Sequence, residues 1–159
     1  MKIRVGEGYD VHRLEEGLTL TLGGVVVPHT SGCVAHSDGD VLIHAICDAL
    51  LGAAALGDIG LHFPDTSSEF KAIDSTILLR RTVDLLAQHG FQVGNIDSTI
   101  RMQSPKLRPH IDAMRSRLAE VMGVAVEEVS IKATTTERLG FEGRKEGVSA
   151  SAIALIVRE

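Results

Sequence analysis

The chain has no tryptophan, one tyrosine and four phenylalanines, so aromatics make up 3% of its 159 residues. Recognition of nucleic acid by base stacking is therefore an improbable role, and a net charge of -5 argues against a groove for a polyanion. If phosphate groups bind, metal ions must offset the charge. There are only two cysteines, Cys33 and Cys47, set in an expected loop and an apolar helix without metal-ligand spacing. They read as free thiols of a reducing compartment rather than a disulfide framework. No apolar run approaches bilayer length, and Met1 to Val5 already reads as a strand rather than a signal or transit peptide. The expectation is a cytoplasmic protein with no membrane segment. Gly-x-Ser-x-Gly, Walker, dinucleotide and His-Glu-x-x-His motifs are all missing.

What is present is 44% apolar content, enough for a real core, and a length that suits one domain spanning 1–159. The chain organises itself around His36 to Gly60. The turn His36-Ser37-Asp38-Gly39-Asp40 ends in a good N-cap, and a helix is predicted from Asp40 to Leu56. Leu42, Ile46, Ala49, Leu50 and Ala53 form one stripe, with Asp40, His44, Asp48 and Leu51 opposite. That second face mixes an imidazole, two carboxylates and apolar groups, so a ligand site or a subunit interface should cover it.

From Lys2 to His12 the odd positions Ile3, Val5, Tyr9 and Val11 are apolar and most even ones polar, which predicts a strand with one buried face. The alternation puts Asp10 and His12 on one side, close enough to share a metal ion, although an exposed polar face is the ordinary explanation of Asp-x-His. Gly6 and Gly8 mark a close approach by a ligand or another backbone. Leu18 to Val27, broken at Gly23-Gly24, predicts a peripheral hairpin. A long loop from Gly57 to Glu69 follows the central helix, then a helix from Asp74 to His89 ended by Gly90. Further on come a strand from Phe91 to Met102, a turn at Gln103 to Lys106, a helix to Met122, a strand from Val129 to Thr135, a glycine-rich loop from Leu139 to Gly147, and a strand from Val148 to Val157. This last strand is apolar on both faces. Three helices can cover only one face of the sheet, so other subunits should cover the second.

Asp10, His12 and His44 would converge if the central helix lies against the first strand, and a carboxylate with two imidazoles suits zinc with an open position. The competing reading is a satisfied polar interface. His36 precedes the same helix, where a surface loop histidine is the ordinary alternative. Thr134-Thr135-Thr136-Glu137 sets three hydroxyls and a carboxylate at a strand end, a composition also ordinary for strands.

Taken together, Gly8-Tyr9-Asp10-Val11-His12, His36 to Asp40, Leu50 to Gly60, Phe63-Pro64-Asp65-Thr66, Ser104-Pro105-Lys106, and Lys132 to Glu137 with Gly140-Phe141 resemble the 2-C-methyl-D-erythritol 2,4-cyclodiphosphate synthase family over nearly the whole chain. The resemblance implies a lyase of the non-mevalonate isoprenoid route that converts 4-diphosphocytidyl-2-C-methyl-D-erythritol 2-phosphate to the cyclic diphosphate and CMP. It implies zinc on Asp10, His12 and His44, and a second divalent cation, Mg2+ or Mn2+, on Glu137. Transition-state stabilisation falls to His36 and Thr135. Cytidine contacts fall to Met102, Gln103, Ser104, Pro105, Lys106, Leu107 and Arg108 with Thr134, and ribose and erythritol contacts to Asp58, Ile59, Gly60, Phe63, Pro64, Asp65, Thr66 and Ser67. Ser37, Thr136, Phe141 and Arg144 complete the implied substrate-binding set.

The implied architecture is an α/β two-layer sandwich, a mixed sheet with three helices on one face and a small outer hairpin, assembled as a homotrimer with active sites between subunits. An isoprenoid diphosphate in the threefold cavity is a further implied partner. Tyr9, Arg101, Arg108 and Ser151 depart from the family pattern, at the pocket rim and central cavity. Two rivals are a nucleotide phosphohydrolase using the same ligands with water as nucleophile, and a non-catalytic trimeric binder of isoprenoid diphosphates with Arg144 and Glu146 as polar groups.

Overall fold

The computed structural model describes residues 1–159. Seven strands and five helices follow one another: β1 (Lys2–Glu16), β2 (Leu20–Leu22), β3 (Val25–Val27), β4 (Ser31–Cys33), α1 (Val41–Ala53), α2 (Ile59–His62), α3 (Ser75–Gln88), β5 (Gln92–Arg101), α4 (Arg108–Met122), β6 (Val129–Thr134), α5 (Gly140–Gly143) and β7 (Gly147–Arg158). A five-stranded mixed sheet runs in the order β4-β1-β7-β5-β6, antiparallel except for the parallel β5–β6 pair. The three long helices α1, α3 and α4 lie on one side of it.

Helix ends form where their chemistry predicts. The Asp40 carboxylate accepts from Ile43 N–H at the start of α1, Asp74 accepts from Thr76 N–H at the start of α3, and Gly123 closes α4 in the left-handed conformation. The central helix is shorter than expected: Ala54 is its C-cap, still donating to the Leu50 carbonyl at 3.2 Å, and Ala55 then takes a positive φ of 59° that turns the chain out of the helix. Two pieces of the expected loops are helical, α2 within 57–69 and α5 within the glycine-rich segment.

Three expectations are corrected. First, the buried side of β1 is the small and polar one: Ile3, Val5, Tyr9 and Val11 are 58%, 63%, 52% and 44% exposed, while Gly8 is buried. The glycines are the reason. A Cβ at Gly6 would run into the Ala49 carbonyl and one at Gly8 into the Ala45 carbonyl, so only this face lets α1 lie directly on the strand. Backbone proximity outweighed side-chain hydrophobicity in choosing the face.

Second, of the two coverings expected for the far face of α1, the subunit interface drops out and a cavity beside His44 is what remains. Every residue from Val41 to Ala53 except Asp48 and Gly52 is buried within the one chain, because β1 and β7 pack on one side and α3 on another. Third, the β2–β3 hairpin is separate from the main sheet, but it is not peripheral: Leu20, Leu22 and Val27 are at most 1% exposed. Its turn residues Gly23 and Gly24 have φ of 60° and 74°, and their N–H groups donate to the Asp40 carboxylate at 2.9 and 2.7 Å. Asp40 is thus an enclosed anchor for turn and helix, not part of the face carrying His44. Burial pushes its carboxyl up to about 6 even though the Gly24, Ile43 and Gly23 N–H groups favour the charged form.

The last strand matches its reading. Val148, Ala150, Ala152, Ala154 and Ile156 are buried under the helices, whereas Ile153, 46% exposed, joins the bare residues of β1 on the opposite face.

Candidate metal centre and its cavities

Two neighbouring elements make the centre. On β1, Asp10 and His12 point to the helical side, and the glycines before them bring α1 close enough for His44 to reach the same point. His12 Nε2 and His44 Nδ1 each lie 3.0 Å from Asp10 Oδ2 and 3.1 Å from one another. Tetrahedral zinc with N and O ligands at about 2.0–2.1 Å sets its donors roughly 3.3–3.4 Å apart, so a few tenths of an ångström separate these side chains from such a shell. The cluster can hold a metal ion.

Its electrostatics agree with a charged centre. Burial alone would raise the Asp10 carboxyl, but hydrogen bonds from His12 and His44, with their positive charge, hold it well below the carboxylate range. Burial alone would lower His44, which is 6% exposed, yet Asp10 outweighs that and holds its imidazole above the ordinary histidine value. A cation is what this carboxylate and these nitrogens favour.

The far side of the His44 ring is also occupied. Its Nε2 lies 2.9 Å from Ser75 Oγ, the first residue of α3, and 3.2 Å from Ser37 Oγ. Ser75 donates its hydroxyl to Asp38 Oδ1 at 2.5 Å and its backbone N–H to Asp38 Oδ2 at 3.0 Å. Neither Asp38 nor Ser75 stands out in the sequence as a functional residue. Asp38 reads as a turn former and Ser75 as an ordinary helix-start serine.

The centre opens into a cavity of about 470 Å³ lined by Asp10, His12, His36, Ser37 and His44 on one side and by Ile59, Gly60, Phe63, Pro64, Asp65 and Thr66 on the other. These are residues singled out by the sequence; Ala35, Phe70, Ile73 and Leu78 join them unforeseen. Asp58 is not in the lining but caps α2 through Leu61 N–H, and Ser67 presents its carbonyl to His36 Nε2 at 2.9 Å. Asp48, half-buried at the outer edge of α1, accepts from Ile59 N–H at 2.8 Å and so ties this loop to the helix. Burial pushes the Asp48 carboxyl upward despite that bond.

A separate cavity of about 400 Å³ lies at the C-terminal ends of β5 and β6, lined by Met102, Gln103, Pro105, Lys106, Leu107 and Arg108 opposite Thr134 and Thr135, with Ile111, Ile131, Lys132 and Ala133 added by the fold. Lys132 was legible only as part of the motif; here its ammonium is paired with Asp97 at 2.6 Å. Ser104 lies outside that lining, as do Thr136 and Glu137. Glu137 is exposed, at a φ of 55°, and does not belong to the Asp10 cluster. Thr136 donates to its neighbour Leu139's carbonyl at 2.6 Å. Phe141 lines a third, outward groove with Val11, His12, Arg13, Leu14, Glu146 and Gly147, while Arg144 pairs with Glu146. One chain therefore does not bring the Glu137 end together with the Asp10 end.

A mixed sheet with a two-histidine, one-carboxylate cluster able to hold a metal ion at the mouth of one cavity, and a threonine-rich strand end at another, defines an α/β protein with a candidate metal centre beside small-molecule cavities. The chain belongs to the 2-C-methyl-D-erythritol 2,4-cyclodiphosphate synthase family: the model of the YgbB family matches residues 3–157. The synthase of Thioalkalivibrio sulfidiphilus is 63% identical over 154 residues, 97% of this chain and 96% of that protein, and the Pseudomonas aeruginosa synthase is 61% identical over 98% and 99%. Among solved structures, the bifunctional IspDF of Campylobacter jejuni superposes with a TM-score of 0.95 at 44% identity, over 99% of this chain and 43% of that longer one. A 2C-methyl-D-erythritol-2,4-cyclodiphosphate synthase in a CDP-bound form superposes with a TM-score of 0.90 at 38% identity, over 97% and 100%.

Proposed function

We propose that this chain, as a single catalytic domain, converts 4-diphosphocytidyl-2-C-methyl-D-erythritol 2-phosphate to 2-C-methyl-D-erythritol 2,4-cyclodiphosphate with release of CMP, a step of the non-mevalonate route to isoprenoid precursors. The observation that carries this reading is the Asp10-His12-His44 cluster opening into a cavity edged by Ile59 to Thr66, in a chain that matches the synthases from end to end. In the reaction the 2-phosphate oxygen bonds to the β-phosphorus as the bond from that phosphorus to the CMP oxygen breaks, so no water is consumed. The nucleophile is already ionised at neutral pH, and catalysis reduces to positioning and charge neutralisation.

We assign zinc to Asp10, His12 and His44, and Mg2+ or Mn2+ to Glu137; when bound, these ions supply positive charge at the phosphate oxygens. The protein's own groups do the rest. Thr135 Oγ1 accepts from Glu137 N–H at 3.2 Å, which leaves its hydroxyl proton to be donated to substrate. His36 holds the Ser67 carbonyl and would exchange that partner for a phosphate oxygen as charge shifts. The Asp58 to Ser67 loop with Ser37 would hold the erythritol and ribose groups. Met102 to Arg108 with Thr134 would hold the cytidine, with Thr136, Phe141 and Arg144 nearby.

Because the two cavities are separate within one chain, the reading includes a homotrimer in which a neighbour's Thr134–Glu137 end meets this chain's Asp10 end. The bare face with Ile3, Val5, Tyr9, Val11 and Ile153 supports such contact, since soluble monomers seldom expose an apolar patch of that extent. The outward groove at Phe141, about 620 Å³, supports the binding of an isoprenoid diphosphate near the threefold axis. No helix is long and apolar enough to cross a membrane, and two buried free thiols suit the cytoplasm.

Incubating the purified protein with the cytidine substrate and magnesium tests the function. CMP and a cyclic product of mass equal to substrate minus CMP are expected. A product heavier by one water would make the protein a phosphohydrolase, and stable binding without turnover would make it a binder.

A further inference from the structure

We propose that Asp38 and Ser75 are positioning residues that orient the His44 ring and select Nδ1 as its metal-binding nitrogen. The inference rests on the reading of Asp10, His12 and His44 as a zinc site. Its basis is the direction of a short chain of hydrogen bonds. Both Asp38 oxygens are anchored, Oδ1 by Asp40 N–H at 3.1 Å and the Ser75 hydroxyl at 2.5 Å, and Oδ2 by Ser75 N–H at 3.0 Å. A carboxylate can only accept, so the Ser75 hydroxyl proton is committed to Asp38 and Ser75 Oγ turns a lone pair toward His44 Nε2, 2.9 Å away. Ser37 Oγ already accepts from Gly39 N–H at 3.2 Å, and lies on the same side of the ring.

Nε2 therefore meets acceptors and keeps its proton, so Nδ1, which in the metal-free chain donates to Asp10 Oδ2 at 3.0 Å, is the nitrogen that gives up its proton to take an ion. Ser75 is fully buried and His44 is 6% exposed, so water does not readily replace either bond. The device also joins distant parts of the chain. Asp38 belongs to the turn before α1 and Ser75 to the first turn of α3, so the register of α3 against α1 sets the aim of a ligand on α1. Metal-bound histidines generally depend on such a partner, and its loss costs about 10–100-fold in metal affinity.

The test uses the full chain and zinc alone. In zinc-loaded, histidine-labelled protein, ring NMR should show His44 coordinated through Nδ1, with a slowly exchanging Nε2–H; coordination through Nε2 would overturn the proposal without any variant. Chelator competition on Ser75→Ala should give a zinc dissociation constant about 10–100-fold weaker than that of the unaltered chain, with a faster-exchanging Nε2–H. Asp38→Asn, which places a donor where two protons are now accepted, should lose at least as much. A merely structural role would lower the melting temperature of the zinc-free protein and leave the zinc dissociation constant of the folded variant alone. Folded variants that bind zinc within twofold of the unaltered chain would overturn the inference and leave the zinc reading standing. Failure of the unaltered chain to bind zinc would remove that reading and this inference with it.

Discussion

The Asp10 end and the Glu137 end of this molecule hold similar chemical groups in very different ways. At the first, three ligand groups are gathered within hydrogen-bond reach, and His44 is braced from behind by Ser75, itself fixed by Asp38. At the second, Glu137 is exposed, and its neighbours Thr134, Thr135 and Thr136 bond to backbone close by in sequence. The first is a site complete within one chain. The second, on the proposed reading, is a half-site: a single carboxylate would have to borrow oxygens from a substrate phosphate or water to hold an ion, the usual arrangement for magnesium. A prebuilt cluster can hold its ion before substrate arrives, whereas a lone exposed carboxylate cannot.

The hardest test of this contrast is His44→Ala, which should abolish zinc binding and lower turnover by at least about 100-fold while the chain stays folded. Metal analysis showing full zinc occupancy would break the ligand assignment. Glu137→Gln should act oppositely on the metal: stoichiometric zinc retained, turnover reduced by about a hundredfold, and partial rescue by excess magnesium. If zinc were lost with the activity, the two ends would share one ion.

A third variant separates the ends physically. Ile153→Asp puts a charge on the bare face; if the proposed trimer buries that face, an uncompensated buried charge costs roughly 3–5 kcal/mol, and sedimentation should show the assembly dissociating at low concentration. Zinc should remain on the separated chains while activity falls. A trimer unaffected by this change would place the subunit contact elsewhere.

The smallest effect concerns Asp40, the carboxylate that the helix face pattern had grouped with His44. Its folded value is about 6 against an ordinary 3.8, so the folded state holds the proton more tightly than the unfolded one. Its contribution to stability therefore falls as pH rises from about 4 through about 6, and is level above. Asp40→Asn should remove that slope from the difference between the two denaturation curves. The same change should cost about 1–3 kcal/mol, because an amide offers one acceptor where Gly23 and Gly24 use both carboxylate oxygens. An unchanged slope would mean that Asp40 is not the titrating group.

Much of this protein is determined locally and was legible without coordinates. Asp40, Asp74, Gly90 and Gly123 mark their helix ends because capping depends on one or two neighbouring residues, and Asp10 shares a side with His12 because strand alternation is geometric. The motif blocks named many of the residues that line the two cavities for the same reason: each block is contiguous. Only the tertiary structure decided which face of β1 is covered, since the choice turned on Gly6 and Gly8 admitting the α1 backbone rather than on the apolar positions between them. Only it could show that the hairpin's leucines enter the core, or that Asp40 serves the hairpin turn and not the metal centre. Asp38 and Ser75 stayed hidden until α3 was laid against α1, because 37 residues separate the two partners and a hydrogen bond across that distance leaves no periodic trace in a sequence.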